Sequence, residues 1–315
     1  MADIKKIATR DGYGAALVEL GKERDDFIVM DADLAEATKT GAFKKAFPER
    51  FYDCGIAEGN MMSIAAGIAA TGKKVFASSF AMFAAGRAFE QIRNSIGYPH
   101  LNVVIGATHA GISVGEDGAT HQCCEDIGIM RTIPGMTIIN PADYTEAVKA
   151  VKAAVNHDGP VYMRFGRLAV PVVFDDDYTF EIGKGVELKE GTDVTIIATG
   201  LMVAEALEAY EILKNEGISA RIINMATIKP LDTEIVLKAA KETGVIVTAE
   251  EHSVIGGLGS AVSEYLSENY PVPVLKLGVY DTFGMSGPAN ELLDKFGLRA
   301  KDIAEKSRKA LELKK

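Results

Sequence analysis

Residues 101–122 have the sequence LNVVIGATHAGISVGEDGATHQ, an apolar run followed by a loop of glycines, histidines and carboxylates. The run at 101–105 is short and almost continuously hydrophobic, as a strand buried on both faces of a parallel sheet requires. The loop contains two of the chain's five histidines, and burying so many polar groups is costly unless they face a polar ligand. The stretch therefore predicts a buried parallel strand that ends in a ligand site.

On both sides of this strand, short runs rich in Val and Ile alternate with longer segments of helical period, the pattern of parallel strands connected by helices. In the first half, strands are predicted at 27–30, 74–77, 101–105, 136–139 and 161–164, and helices at 11–24, 61–71, 84–96 and 143–156. In the second half, strands are predicted at 194–198, 220–224, 245–248 and 274–277, and helices at 202–216, 233–242, 258–266 and 301–315. Asp143 is the expected N-cap of its helix. The alternation predicts an α/β protein with two doubly wound domains and mostly parallel sheets.

The domain boundaries follow from the length of the chain and from one break in the pattern. A chain of 315 residues is long for one compact domain and comfortable for two. Between residues 168 and 192 the alternation gives way to Pro171, three consecutive aspartates and Gly191. We therefore place the first domain at 1–170, a linker at 171–191 and a second, smaller domain at 192–315.

Composition and charge exclude several classes of protein. The formal net charge is −10 and the pI is about 5.1, which argues against a nucleic-acid or anionic-membrane partner. No uncharged apolar run reaches the roughly 18 residues of a membrane span, and no apolar segment near the N-terminus predicts an export signal, so a cytoplasmic protein is expected. Cys54, Cys123 and Cys124 are too few and too badly spaced for a disulfide framework or a zinc site.

Two further segments carry side chains that a core does not need. Glu58 lies where a strand end runs through glycines into a helix, at the edge of a parallel sheet where ligands bind. The alternative role of this carboxylate is to complement the helix N-terminus. Phe80 and Phe83 follow a strand and have small neighbours, so they could form a flat slot for a planar ring, although packing in the core is the commoner use of phenylalanine.

The polar loop offers directional hydrogen-bonding groups in His109, Asp117 and His121, which suit sugar hydroxyls or a phosphate. A metal site ranks low there because the spacing of the histidines is not that of metal ligands.

Arginine side chains can bind phosphate or carboxylate through two parallel hydrogen bonds. This property makes Arg10 and the segment 164–167 candidates for anion binding, with surface salt bridges as the alternative. The segment 256–259, Gly-Gly-Leu-Gly, could cradle an anion at a helix start or simply allow close packing of a helix against a strand.

Taken together, these segments resemble the transketolase family of thiamine diphosphate enzymes over essentially the whole chain. Residues 1–170 resemble the pyrimidine-binding domain of the family, and residues from about 192 onward resemble its C-terminal domain. The loop core Gly-Glu-Asp-Gly-Ala-Thr-His-Gln at 115–122 is closer to transketolases than to the β subunits of 2-oxoacid dehydrogenases. The resemblance implies transfer of a two-carbon ketol unit from a ketose phosphate to an aldose phosphate, as in the pentose phosphate pathway.

The resemblance also implies which residues bind the thiamine diphosphate. Glu58 would hydrogen-bond a ring nitrogen of the aminopyrimidine and stabilise its imino tautomer, which makes it a catalytic residue as well. Phe80 and Phe83 would stack on the pyrimidine, and Asp33 matches an aspartate that lines the cofactor cleft.

The substrate-binding residues implied by the resemblance lie in the polar loop and on two arginines. His109, Asp117 and His121 would contact the sugar, and the two histidines would also take catalytic roles. Arg10 and Arg164 look like the arginines that hold the substrate phosphate.

Three positions depart from the family pattern. Gly86 stands where many transketolases have an aromatic side chain, so one wall of the pyrimidine slot is expected to be thinner or filled by another residue. Ala110 replaces a common Asp, and Ala37 replaces a Ser expected near the phosphate. These changes affect the expected sugar phosphate rather than the cofactor chemistry.

The resemblance covers only half of such an enzyme. Family members bind the diphosphate and its divalent metal through a Gly-Asp-Gly motif, and this sequence contains none. A metal bound to a diphosphate needs hard oxygen ligands. An N-terminal partner subunit is therefore expected to supply the Mg²⁺ and diphosphate site in an α2β2 assembly, and no metal ligand is assigned to this chain.

Two competing interpretations stay open at this point. The chain could belong to another thiamine diphosphate enzyme, similar to 1-deoxyxylulose-5-phosphate synthase or to a 2-oxoacid dehydrogenase E1 β subunit, although the two-histidine loop suits a sugar phosphate better. It could also be a non-catalytic paralogue, but folding alone requires neither Glu58 nor the phenylalanine pair nor the two histidines.

Overall fold

The computed structural model describes residues 5–314 of the chain. The strands of its first half are β1 (Lys6–Ala8), β2 (Phe27–Asp31), β3 (Phe51–Asp53), β4 (Lys74–Phe80), β5 (Val103–Thr108), β6 (Thr137–Ile139), β7 (Val161–Arg164) and β8 (Ala169–Pro171). The helices of this half are α1 (Thr9–Glu23), α2 (Ala35–Thr38), α3 (Gly41–Ala46), α4 (Glu58–Ala69), α5 (Phe89–Gln91), α6 (Asp126–Arg131) and α7 (Tyr144–Ala154). Short 3₁₀ helices lie at Pro48–Arg50 and Ile112–Asp117, and π-helical segments at Met82–Arg87 and Ile92–Gly97.

The second half has the same alternation of strands and helices. Its strands are β9 (Val186–Lys189), β10 (Val194–Ala198), β11 (Ala220–Asn224), β12 (Thr227–Lys229), β13 (Ile246–Ser253) and β14 (Val274–Val279). Its helices are α8 (Met202–Asn215), α9 (Thr233–Thr243), α10 (Leu258–Asn269), α11 (Ala289–Lys295) and α12 (Ala300–Leu311). Among residues 5–314, no helix combines the length and the apolar character needed to cross a membrane.

The first sheet has seven strands in the order β12-β6-β7-β5-β4-β2-β3. Its strand pairs are parallel except for β12 with β6. Strands β4 and β5 lie in the middle of the sheet, and every residue of both is buried. This position confirms the buried parallel strand predicted at 101–105 and explains why its sequence is hydrophobic without alternation.

The second sheet has five strands in the order β14-β13-β10-β11-β9, and only β9 pairs antiparallel within it. The predicted α/β class with mostly parallel sheets is therefore confirmed. Strand β9 lies inside the range 171–191 that the sequence predicts as a linker, so the second sheet begins earlier than expected. Because β9 is an edge strand and is only half-buried, its sequence lacks the apolar run that marks a central strand.

The two halves of the chain share secondary structure. Strand β12 comes from the second half and adds to the edge of the first sheet, where Thr227 pairs with Ile139. The ammonium of Lys229 donates to the carbonyls of Arg131 at 2.8 Å and Ile133 at 2.6 Å. In addition, β1 and β8 form a small antiparallel pair. The first sheet is thus completed by a strand that lies far away in the sequence.

Of the local features predicted from the sequence, one helix start is confirmed, while one helix and one strand differ in the structure. The Asp143 side chain accepts a hydrogen bond from the Glu146 N–H at 2.8 Å, which confirms the predicted N-cap of α7. The single helix predicted at 84–96 is instead two π-helical segments on either side of α5. Such segments carry an extra residue per turn and are frequent at functional sites. The strand predicted at 245–248 continues as β13 to Ser253 and carries Glu250, Glu251 and His252 into the interior.

Candidate active site

The predicted site residues gather at the carboxyl ends of neighbouring parallel strands. Strands β5, β4, β2 and β3 are adjacent in the first sheet. Phe80 is the last residue of β4, His109 follows β5 directly, and Glu58 begins the helix after β3. This edge of an open α/β sheet is where ligands bind, as the sequence predicts.

Glu58 is the first residue of α4, and its side chain is only 1% exposed. Both of its carboxylate oxygens accept a hydrogen bond from Nη1 of Arg87 at 2.9 Å. Arg87 is half-exposed, and its guanidinium lies 4.6 Å from the centre of the Phe83 ring. Sequence reasoning missed Arg87; its place at the end of the π-helical segment Met82–Arg87, four residues after Phe83, is the signal that could have identified it.

Aromatic rings form a wall beside this carboxylate. The rings of Phe80 and Phe83 are stacked, with centroids 5.7 Å apart and planes at 17°. The His109 ring also stacks with Phe80, with centroids 3.8 Å apart, and His121 meets Phe83 edge-on at 5.2 Å. Phe80 is buried, but Phe83 is only half-buried, so part of this wall is open to solvent, and the solvent-accessible space in front of it is called the cleft.

Next to this wall, Gly86 shows how the missing aromatic side chain is replaced. The methyl group of Met82 occupies the space that a side chain at position 86 would need. The thioether therefore packs at the place where the resemblance predicts an aromatic residue.

His109 is held as a neutral imidazole. Its Nε2 lies 2.9 Å from Nη1 of Arg10, and its Nδ1 lies 2.9 Å from the hydroxyl of Thr108. Because an arginine can only donate, Nε2 is assigned as the acceptor and Nδ1–H as the donor to Thr108. Burial, reinforced by the cations of Arg10 and Arg167, lowers the pKa of His109 to about 3. His109 is thus a hydrogen-bonding group and not a proton donor near neutral pH.

A cationic region lies beside His109. Arg10 also donates to the carbonyl of Ala37 at 3.1 Å, while its buried Nε–H has no hydrogen-bond partner among the described residues. Burial lowers the pKa of Arg10, and the charge of Arg167 lowers it further. Arg167 donates to Glu116 at 3.3 Å and lies 3.8 Å from the carboxylate of Asp117. The unused donor of Arg10 is a group that a bound anion would satisfy.

Asp33 lies at the end of β2, in a left-handed backbone conformation with φ of 64°. Its N–H donates to the Asp53 side chain at 3.0 Å. Together with Ala37 and Lys44, these two aspartates line a cavity of about 320 Å³. The carbonyl of Ala37 is also the one that accepts from Arg10, so this cavity adjoins the cationic region.

The structure does not bring Arg164 to the cleft, which corrects its predicted role as a phosphate-binding residue. Its side chain is 3% exposed, and Nε donates to Asp126 at 2.9 Å. Its Nη2 donates to the carbonyls of Cys123 at 3.2 Å and Glu251 at 2.8 Å. Burial tends to lower the pKa of Arg164, but the carboxylates of Asp126 and Glu251 outweigh this effect and raise it. The arginine of the segment 164–167 that faces the cleft is Arg167.

The glycine-rich segment at 256–259 also has an internal partner. The carboxylate of Glu250 accepts from the N–H groups of Leu258 at 2.6 Å and Gly259 at 2.8 Å. Burial raises the pKa of Glu250 to about 7. The anion cradled at this helix start is therefore a side chain of the protein itself. Within residues 5–314, no group of three or more His, Cys, Asp and Glu side chains is arranged to hold a metal ion.

The fold and the site together define a class of protein: a two-domain α/β protein with a candidate ligand site at the carboxyl ends of the strands of its first, mostly parallel sheet. Two family models match the chain, the transketolase pyrimidine-binding domain at residues 5–172 and the transketolase C-terminal domain at residues 183–303. The chain belongs to the transketolase family.

Relatives with similar lengths are named as parts of transketolases. A protein of Methanocaldococcus jannaschii is 53% identical over 300 residues, 94% of either chain, and its name refers to a transketolase C-terminal section. A 6-deoxy-6-sulfo-D-fructose transketolase subunit of Clostridium sp. is 45% identical, with 97% of this chain and 95% of the relative covered.

The chain is also similar to solved structures of transketolases. A split-gene transketolase, described as an inactive β4 tetramer, is 56% identical and superimposes with a TM-score of 0.92 over 98% of this chain and all of that one. Transketolase of Pichia stipitis in complex with sedoheptulose 7-phosphate is 25% identical, with a TM-score of 0.83, and the match covers 99% of this chain but 46% of that one. The chain therefore corresponds to about half of a full-length transketolase.

The assignment of Arg164 to the buried network can be tested by removing its charge. Arg164→Met leaves Asp126 buried without its partner, and loss of one member of a buried pair costs about 3–5 kcal/mol of unfolding free energy. Urea denaturation of the chain should show this loss, and the double variant Arg164→Met with Asp126→Asn should recover part of it. Unchanged stability together with weaker binding of sugar phosphate would instead support the role predicted from the sequence.

The neutral state of His109 predicts a pH dependence. Its pKa is about 3 in the folded chain, below the ordinary value of roughly 6.5 in the unfolded chain, so unfolding binds a proton between these values. The contribution of neutral His109 to the unfolding free energy is fully present above about pH 6.5 and is lost as the pH falls toward 3. Between pH 7 and pH 5 the unfolding free energy of the wild type should fall by about 2 kcal/mol more than that of His109→Gln. Identical pH profiles of the two proteins would contradict this assignment.

Proposed function

We propose that this chain is the C-terminal subunit of a split transketolase, which transfers a two-carbon ketol unit from a ketose phosphate to an aldose phosphate. The observation that carries the proposal is the buried carboxylate of Glu58 beside the stacked rings of Phe80 and Phe83. A polar, planar heterocycle needs both a stacking surface and a hydrogen-bonding group at its edge, and this arrangement offers both.

Thiamine diphosphate fits this site. When bound, it supplies the nucleophilic carbon and the electron sink for breaking and forming the carbon–carbon bond. Glu58 would hydrogen-bond the aminopyrimidine ring, and Phe80 and Phe83 would stack on it. Asp33 would line the cleft at the end of β2.

The substrate would lie against the polar loop and the cationic region. His121 would hydrogen-bond the sugar, and the carboxylate of Asp117 would accept from one of its hydroxyls. Both ring nitrogens of His109 are engaged by Arg10 and Thr108, so His109 would bind the sugar by exchanging one of these partners for a sugar hydroxyl. Arg10 and Arg167 would hold the phosphate, since both are charged and the Nε–H of Arg10 is free of partners among the described residues. Arg167 takes the place that the sequence assigned to Arg164.

The diphosphate and its Mg²⁺ would be bound by a partner subunit. The sequence has no Gly-Asp-Gly triplet, and the described residues hold no metal-binding group of side chains. A chain of this kind on its own is the inactive β4 tetramer of the similar split-gene transketolase. We propose that the chain joins an N-terminal transketolase subunit in an α2β2 assembly, and this division of the site supports the need for that partner.

The role of Glu58 is tested by Glu58→Gln in the pair reconstituted with the partner subunit. The amide keeps the size of the side chain but cannot exchange a proton with the ring, so we expect ketol transfer to fall by about 10²–10⁴-fold. Sedimentation should show that assembly is intact. The matched control, Glu264→Gln at an exposed ion pair with Arg131, should keep full activity. A fully active Glu58→Gln pair would refute the assignment.

The role of Arg167 is tested with phosphorylated and unphosphorylated donors. Arg167→Ala should raise the KM for a ketose phosphate about tenfold or more, because a charge-assisted hydrogen bond to the phosphate is lost. With the corresponding free ketose, the variant and the wild type should have the same KM. An equal rise for both donors would show that Arg167 acts on the loop through Asp117 and not on the phosphate.

A further inference from the structure

The polar loop is held in place partly by the second domain. The 3₁₀ helix Ile112–Asp117 lies against residues 284–288, which follow β14. A Cβ atom at Gly118 would meet the hydroxyl of Ser286, and one at Gly284 would meet the side-chain oxygen of Gln122. Both glycines are therefore needed for the two segments to approach this closely.

Gln122 is the side chain that joins these segments. It is 4% exposed, and its amide nitrogen lies 2.9 Å from the carbonyl of Met285 in the second domain. The same nitrogen lies 3.0 Å from the carbonyl of Ile112 and 3.3 Å from that of Gly115, at the start and the bend of the 3₁₀ helix. The amide oxygen is buried without a hydrogen-bond partner among residues 5–314. The contribution of Gln122 is therefore that of a donor shared among three carbonyls.

A second contact from the same domain fixes the start of the loop. The carboxylate of Glu251, in β13, accepts from the N–H of Ser113 at 2.5 Å. Gly111 packs directly on this carboxylate, where any side chain would collide. The loop is thus anchored to the second domain at Ser113 and again, through Gln122, around Gly115. Asp117 lies two residues beyond the second anchor.

We propose that Gln122 is a positioning residue for the substrate, through which the second domain sets the place of Asp117 and hence the affinity for the sugar phosphate. This inference rests on the proposed function. Gln122 is buried behind the loop, so it acts through the backbone of the loop and does not contact the substrate. The second domain thereby takes part in substrate binding through the backbone of the loop.

The test uses two variants of the reconstituted pair. Gln122→Glu has the same shape but replaces the donor by an acceptor that faces three carbonyl oxygens. We expect it to raise the KM for a ketose phosphate at least tenfold, to change kcat less than threefold, and to leave the affinity for thiamine diphosphate unchanged. Gln122→Met removes the donor without adding a charge and should give a smaller rise in KM; it also serves if the Glu variant does not fold.

The matched control is Asn215→Asp, the same amide-to-acid change at an exposed helix end. This variant should leave the KM, the kcat and the affinity for thiamine diphosphate unchanged. An unaltered KM in both Gln122 variants would overturn the proposal. So would an equal loss of affinity for the cofactor, because that result would indicate a general disturbance of the site.

A readout independent of catalysis separates this inference from the proposed function. In hydrogen exchange on the full isolated chain, Gln122→Glu should speed exchange of the amides at 112–118 and 284–288, while those of β11 keep their wild-type rates. Faster exchange throughout the chain, or no change in the two segments, would refute the coupling. If the wild-type pair lacks ketol-transfer activity, the proposed function fails, and the proposed effect of Gln122 on substrate affinity fails with it. A local change in hydrogen exchange would then support only the structural coupling between the loop and the second domain.

Discussion

The buried ion pair between Arg164 and Asp126 lies where the two domains meet, and it constrains how they pack. Removing a guanidinium and a carboxylate from water costs several kcal/mol for each ion, so such a pair persists only where further hydrogen bonds satisfy both groups. Here Arg164 also donates to the carbonyl of Glu251 in the second domain, and Tyr162 donates to Asp126 at 2.9 Å. The acceptors come from both domains, so the pair and the domain arrangement depend on each other. Cys123 follows the polar loop, and its carbonyl is another acceptor of Arg164, so this pair also supports the end of the loop.

The electrostatics of the cleft differ from those of the chain as a whole. The chain carries a formal charge of −10, which at long range would repel a phosphorylated sugar. Within about 8 Å, the screening length at physiological ionic strength, local charges matter more. Arg10, Arg167 and Lys39 all act to lower the pKa of His109, which shows that positive charge is concentrated there. Because His109 is neutral, its Nε2 can accept from Arg10, and the ring adds no fourth cation to this region.

The sequence predicts those strands that are buried on both faces, because they leave a continuous apolar signal. Strands β5, β10 and β11 are of this kind. The short edge strands β3, β9 and β12 were missed, since an exposed face or a length of three or four residues removes that signal. Strand β12 also pairs with a strand some 90 residues earlier in the chain, and no local pattern specifies such a partner.

A local sequence pattern is equally unable to specify the distant partners of the site residues. Phe80 and His109 could be located because each follows a predicted parallel strand, where topology alone brings side chains together. Glu58 could be located because a glycine-containing segment leads into the helix that it begins. Arg164 also stands at a strand end, but whether an arginine there meets a ligand or a buried carboxylate depends on Asp126, on a separate helix. The sequence records the presence of a charge and not its partner, so the distinction between Arg164 and Arg167 required the structure.

Arg87 pairs the buried carboxylate of Glu58 from within the same chain. A carboxylate as buried as that of Glu58 would be costly if it were unpaired. Arg87 satisfies both of its oxygens from within the same chain, and the guanidinium remains half-exposed and in contact with Phe83. The folded state therefore does not depend on a cofactor to solvate Glu58. Because the guanidinium of Arg87 is half-exposed, it can shift away from Glu58 without disturbing the buried core of either domain.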